Sequence, residues 1–170
     1  MKETLAEINA LREAGVIGQS AIGGAMGATF YLEPVTTFDL DIFVLFENGP
    51  LILTLSPIYD FLKARGHVAE GDAISIQGWP VQFLPAETPL LREAVNEARE
   101  IDFEGVPSRV MTAEHLMAVT LQTGRPKDFA RLISFVETKV ADTARLHDIL
   151  KRHGLTTAWS RFEQRYLSDP

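Results

Sequence analysis

Leu5, Ile8 and Leu11 recur between Glu3, Glu7, Arg12 and Glu13, a spacing that predicts an amphipathic helix over residues 3–14 with Gly15 as its C-terminal cap. A short apolar run, Gly18–Ile22, reads as a strand that ends in the pair Gly23-Gly24, and Ala25–Tyr31 as a helical turn or two. The loop Glu33-Pro34-Val35-Thr36-Thr37 leads into Phe38–Phe46, an apolar strand interrupted only by Asp39 and Asp41. Glu47–Pro50 is a turn, and the run to Leu55 is either a strand or the lead-in to a helix. Ser56-Pro57 then caps and opens a helix whose buried stripe is Ile58, Phe61 and Leu62, ending at Gly66. Ala73–Gln77 and Pro80–Leu84 flank Gly78-Trp79 as a hairpin, with Pro80 at an edge or bulge. Thr88-Pro89 opens a helix through Ala98, and Gly105 separates two further strands, Arg99–Glu104 and Val106–Met111.

From Thr112 the period is helical throughout. Leu116, Met117, Thr120 and Leu121 form one face of a helix that Gly124 stops. Pro126 starts another, with Phe129, Leu132, Ile133 and Val136 at i, i+3, i+4 and i+7. Asp142 caps a third, through Leu146, Ile149 and Leu150 to Gly154, and Thr156 or Thr157 caps a fourth that carries Trp159, Phe162 and Tyr166. The expected architecture is α/β (α+β): a mixed β-sheet with helices over residues 1–111, and a C-terminal helical bundle over 112–170. No internal repeat or linker divides the chain, and 170 residues suit a single domain.

Composition narrows the setting. With 46% hydrophobic and 9% aromatic residues the chain can bury a core, and no apolar run reaches the ~18 to 20 residues of a membrane span. The N-terminus lacks a secretory apolar segment and the chain has no Cys, so a cytoplasmic location without disulfides or thiolate metal sites is expected. A net charge of -7 opposes the broad cationic surface that binding to bulk DNA needs, but leaves room for a local basic pocket.

The chemistry concentrates between Ala21 and Phe46. Residues two apart in a strand share a face, so Asp39 and Asp41 project together at roughly 6 to 7 Å separation. Two unpaired carboxylates that close raise at least one pKa and cost stability, and a divalent cation between them removes that cost. Gly23 and Gly24, without Cβ atoms, let the backbone turn sharply and offer N–H groups to an anion. Carboxylates with a metal on one side and amides on the other form a receptacle for a nucleoside triphosphate.

Gly23-Gly24 followed by Asp39-x-Asp41 in a hydrophobic strand resembles the signature of the DNA polymerase beta-like nucleotidyltransferase superfamily, and most closely the small bacterial members that include AbiEii-type toxins of toxin–antitoxin systems. The resemblance implies a nucleotidyltransferase fold, Mg²⁺ or Mn²⁺ held by Asp39 and Asp41 as catalytic residues, and an NTP as partner. It implies attack of an unknown hydroxyl acceptor (small molecule, protein or RNA) on the NTP α-phosphate, with an antitoxin as a further partner. Nucleotide contacts fall to Gly23, Gly24, Thr37, Gln82, Arg125, Lys127 and Asp128, the last three from a segment that matches the family's Arg-x-Lys-Asp element. Arg125 and Lys127 then offset triphosphate charge, and Asp128 orients one of them.

Three positions depart from the family pattern. Its third carboxylate corresponds to Gln82, an arginine before the acids to Val35, and a lysine in the helix before the Arg-x-Lys-Asp element to Thr120. An amide accepts no proton and is a poor metal ligand, so either Asp72, Glu87 or Asp102 substitutes or the chain is a catalytically impaired nucleotide-binding or protein-interaction module. Other site classes fit less well. Gly18-x-x-x-x-Gly23 lacks the lysine of a P-loop, no Gly-x-Ser-x-Gly occurs, and His67, His115, His147 and His153 lack zinc-ligand spacing. His147 and His153 read as surface or cap residues, Trp159 and the Phe129 stripe as core, and Trp79 as core with some prospect of ligand contact beside Gln82.

Overall fold

The computed structural model of the chain describes residues 1–33, 37, 39–46 and 55–167, with Lys127 described by its backbone alone. The expectations for Val35 and for the stretch Glu47–Thr54 lie outside these residues. Among the described residues the elements run α1 (Lys2–Glu13), β1 (Ser20–Ile22), α2 (Gly24–Ala28), β2 (Leu40–Val44), α3 (Ser56–Ala64), β3 (Val68–Glu70), β4 (Ala73–Ile76) and β5 (Trp79–Pro85). They continue as α4 (Pro89–Asn96), β6 (Arg99–Phe103), β7 (Val106–Val110), α5 (Ala113–Thr123), a 3-10 turn at Pro126–Asp128, α6 (Phe129–Thr138), α7 (Thr143–Arg152) and α8 (Thr156–Tyr166).

The strands form one seven-stranded mixed sheet in the order β3-β4-β5-β2-β1-β7-β6. β2 lies centrally, antiparallel to β1 and parallel to β5, and β1 runs parallel to β7. The two predicted hairpins close where the chain reaches positive φ at two successive residues, Gln77-Gly78 (51° and 80°) and Glu104-Gly105 (53° and 84°). Positive φ at both central residues suits the twist of a two-residue hairpin, and glycine at the second keeps its cost down.

Alternation along the central strands assigns their faces. Leu40, Ile42 and Val44 of β2 and Val81 and Phe83 of β5 face a core they share with Leu5, Ile8 and Leu11 of α1 and Ile58 and Leu62 of α3. Asp41 and Phe43 point to the opposite face, where Phe43 joins a second core built from α4 to α8 that includes Leu90, Met117, Leu132, Phe135, Leu146 and Trp159. Each fully buried Leu, Ile or Phe contributes about 1.5–3 kcal/mol. These two cores hold the sheet rigid behind Asp41.

Helix ends largely follow local chemistry. Thr88, Thr112 and Asp142 accept hydrogen bonds from the backbone N–H groups of Leu91, His115 and Arg145, and Gly124 closes α5 at φ 67°. Several sequence expectations need correction. Leu55, not Ser56, is the N-cap of α3, and Leu155, not Thr156 or Thr157, caps α8. The expected glycine cap of α1 is present: Gly15 follows Ala14 at φ 69°, with its N–H donating to the Arg12 carbonyl and that of Val16 to the Leu11 carbonyl. β3 was not expected at all, because its three residues are exposed and carry no apolar alternation. Trp79 shares the parity of Val81 and Phe83 and packs on the core opposite Gln82, which removes it from that side of the sheet.

Candidate functional site

Asp41 leaves the middle of β2 on the face that the α4–α8 core covers, and strand register decides its neighbours. Opposite it on the parallel strand β5 stands Gln82, so the residue expected in place of a third acid lies directly beside Asp41. On the other side β1 ends at Ile22, which pairs with Ile42, and the Gly23 N–H donates to the Asp41 carbonyl at 3.0 Å. That bond extends the ladder and occupies the Gly23 amide, so this N–H is not the free anion donor expected from the sequence.

The glycine pair is required by close approach. A Cβ on Gly23 would run into the Phe43 ring, and one on Gly24 would collide with Asp41 Oδ2. Gly24 also sits at φ +57°, the left-handed region that side chains disfavour, and it opens α2, whose first-turn N–H groups lack intrahelical partners. The Asp41 carboxylate thus lies against bare backbone at the start of α2.

Burial is the main reason that the Asp41 carboxyl keeps its proton to higher pH than an ordinary aspartate, and the nearby charge of Asp39 adds to the effect. The guanidinium groups of Arg125 and Arg131 act the other way, and Asp128 again raises it. Asp39, just before β2, is exposed, and its Oδ1 accepts from Thr37 Oγ1 at 3.2 Å. Asp128 is only 6% exposed; it accepts from Arg125 Nε at 2.6 Å and from Arg131 Nη2 at 3.5 Å. Four charged side chains from two distant stretches of chain, Asp39, Arg125, Asp128 and Arg131, therefore act on Asp41.

Of the expected residues, the fold brings Gly23, Gly24, Asp39, Asp41, Thr37 and Gln82 together with Arg125 and Asp128; the side chain of Lys127 lies outside what is described. The proposed replacements for the third acid are elsewhere. Asp72 lies at the β3–β4 turn, two strands from β2, and Glu87 lies beyond the end of β5. Asp102 is on edge strand β6, where its Oδ1 accepts from Gly105 N at 2.8 Å. The acid that does reach Asp41 from outside its own strand is Asp128. Arg131 was missed by sequence reasoning, although its i+3 spacing from Asp128 signals the pair.

The second core contains a polar cluster that no sequence spacing announces. His115, wholly buried in α5, lies with its Nδ1 2.9 Å from Thr112 Oγ1 and its Nε2 3.1 Å from Glu93 Oε1. Ligand atoms of Glu93, Glu97 and His115 come within 4.8 Å of one another, so one of the four histidines, His115, does enter a metal-capable group in three dimensions. Its carboxylates are already engaged: Glu93 Oε2 accepts from Arg152 and lies 2.8 Å from His153 Nε2, and Glu97 Oε2 accepts from Arg145 at 2.8 Å. Burial pushes the Glu93 carboxyl up, but hydrogen bonds from Arg152, His153 and His115 outweigh it and bring the pKa down to about 2. The arrangement is an ionic tie between α4, α5 and α7.

No family model matches the chain, and no curated protein does. Solved structures do. The antibiotic-resistance factor ANT(2'')-Ia, in solution, superposes with a TM-score of 0.57 at 14% identity, over 96% of this chain and 95% of that one. An antigenic nucleotidyltransferase-like protein from Paracoccidioides brasiliensis superposes with a TM-score of 0.57 at 13% identity, over 93% of this chain and 92% of that one. Over nearly its whole length, then, this chain has the mixed-sheet and helix fold found in nucleotidyltransferases.

Proposed function

We propose that this protein is a nucleotidyltransferase that moves an NMP from a metal-bound NTP to a hydroxyl acceptor. The observation that carries the reading is the Asp41 carboxylate seated against the bare backbone of Gly24, within electrostatic reach of Asp39, Arg125, Arg131 and Asp128, on a fold shared with nucleotidyltransferases.

The donor set suits a hard divalent cation. Asp41 is a buried carboxylate with a second acid close by, a pair whose repulsion a cation relieves, and oxygen ligands are what Mg²⁺ and Mn²⁺ take. Held by Asp39 and Asp41, such an ion would supply neutralisation of triphosphate charge and Lewis acidity at phosphorus. The first-turn amides after Gly23 and the cations Arg125, Lys127 and Arg131 hold the phosphates, with Asp128 fixing both guanidinium groups. In the transfer, the acceptor oxygen bonds to the α-phosphorus as the bond to the pyrophosphate oxygen breaks, and pyrophosphate leaves with the electron pair. The acceptor proton needs a base. Gln82, an amide, cannot take it, and an Asp41 that holds the cation is a weak base, so the proton passes to solvent water. Acceptors within this reading are a small molecule, an RNA or a protein; the last two accommodate an AbiEii-like toxin with an antitoxin partner.

Gln82 beside Asp41 favours a second reading, a nucleotide-binding module with little turnover. Pyrophosphate release from each of the four NTPs with Mg²⁺ separates the two. Release that disappears in Asp39→Ala and Asp41→Ala supports the transferase, and NTP binding without release supports the module. Gln82→Glu restores a carboxylate at the register position and is expected to raise the release rate at least about tenfold by supplying a general base. Absence of any Mg²⁺-dependent NTP binding by calorimetry would sink both readings.

A further inference from the structure

The polar cluster in the second core has oxygen atoms that its ion pairs leave unused. Each of its two carboxylates is tied through one oxygen: Glu93 Oε2 accepts from Arg152 and lies 2.8 Å from His153 Nε2, and Glu97 Oε2 accepts from Arg145 at 2.8 Å. The inner oxygen of Glu93 turns the other way. Glu93 Oε1 lies 3.1 Å from His115 Nε2, and a carboxylate oxygen of Glu97 lies within 4.8 Å of the ligand atoms of both. Glu93 is in α4 and Glu97 caps that helix four residues on, so one helix face carries both acids, and His115 approaches it from α5. His115 is wholly buried and Glu97 exposed, so the point between them is closed on the imidazole side and reached from solvent past Glu97.

This is how outer partners orient the ligands of a metal: Arg152 and His153 hold the far oxygen of Glu93, and Arg145 holds that of Glu97. The imidazole is held likewise. Its Nδ1 is 2.9 Å from Thr112 Oγ1, and when Nδ1 carries the proton and donates it to the threonine oxygen, the Nε2 lone pair faces Glu93 Oε1. A cation between them turns that repulsion into attraction. In the other tautomer Nε2–H donates to Glu93, and the cluster is the ionic tie alone. The 3.1 Å separation is close to the edge, about 3.3 Å, of a tetrahedron with ~2.0 Å bonds. Two carboxylates and a neutral imidazole match the charge of a divalent ion, and nitrogen beside oxygen suits Zn²⁺, whereas Mg²⁺ takes oxygen ligands. We propose that Glu93 Oε1, Glu97 and His115 Nε2 form a zinc site with water in the fourth position, separate from Asp41 and independent of the nucleotidyltransferase reading. Zn²⁺ bound there joins α4 to α5.

The test is a Zn²⁺ titration of the intact chain, read by calorimetry and by long-range ¹H–¹⁵N spectra of the histidine rings. One equivalent is expected to move the His115 ring nitrogens and fix the Nδ1–H tautomer, with the rings of His67 and His147 unchanged. Mg²⁺ at about a hundredfold higher concentration is expected to leave the His115 ring as it was. Glu97→Ala, changed at an exposed position, is expected to weaken Zn²⁺ binding at least about tenfold and to leave the Mg²⁺·ATP thermal shift unchanged. Lack of a one-to-one isotherm, a His115 ring that stays in the Nε2–H form while another histidine responds, or equal Zn²⁺ affinity in Glu97→Ala would each overturn the site. No nucleotide enters the Zn²⁺ titration, so its failure and the failure of the transferase reading are read separately.

Discussion

Asp41 shows at the scale of one side chain how a binding site and a stable fold oppose each other. Its carboxyl is buried and near Asp39, so folding raises its proton affinity. Between the ordinary aspartate pKa and the raised one, the folded state binds more protons than the unfolded state, and stability therefore falls as pH rises through that window. Asp41→Asn is expected to remove this slope and to stabilise the ligand-free protein at pH 7 by about 0.5–2 kcal/mol, while abolishing the Mg²⁺·NTP thermal shift. Urea unfolding from pH 4 to 7 with and without nucleotide checks both halves. Gly24 makes the complementary case. Gly24→Ala forces a side chain into φ +57° and into Asp41 Oδ2, with an expected cost of about 1–3 kcal/mol and loss of NTP binding; an unchanged urea midpoint would contradict the close approach.

At the scale of elements, α4, α5 and α7 are joined by charge as well as by apolar contact. Glu93 receives Arg152 from α7, His153 at the end of α7 and His115 from within α5. Its pKa is lowered to about 2, so its contribution is complete above the ordinary glutamate value of 4.5 and is lost as pH falls from there towards 2. Glu93→Gln is expected to cost about 1–3 kcal/mol at pH 7 and to flatten the acid limb of stability, read by chemical denaturation between pH 3 and 7. The same elements mark where periodicity stops being informative. In α5, Glu114 and His115 are buried along with Leu116, Met117 and Leu121, because the helix is enclosed by the sheet and by neighbouring helices, and Glu114 Oε1 accepts the Asp142 N–H at 2.8 Å. A one-faced apolar stripe describes a helix on a surface, and α5 is not on one. β3 fails for the opposite reason: an exposed edge of three residues carries no burial signal, and its pairing with β4 makes it a strand.

For the molecule as a whole, one sheet separates two cores, with Phe83 filling one and Phe135 the other, each about 1% exposed. Both belong to residues expected to form a single domain, so Phe83→Ala and Phe135→Ala are each predicted to cost about 3–5 kcal/mol and to shift the same transition. Two separable transitions by near- and far-UV circular dichroism would instead make the C-terminal helices a unit of their own. The strand that carries Asp41, the glycine turn before it, both hairpins and most helix caps were legible in the sequence, since each depends on residues within a few positions of one another; Asp39, expected on the same strand, lies just before it. Periodicity, turn chemistry and capping are local, and a linear reading captures them. Gln82 and Asp128 were expected near Asp41 through the resemblance and not through their spacing; tertiary structure alone kept Asp72, Glu87 and Asp102 away from Asp41, brought Arg131 to it, and drew His115 into contact with Glu93. Those meetings follow from strand register and from helices packing across a sheet, which join residues far apart in the chain by shape and burial and leave no trace in the spacing between them.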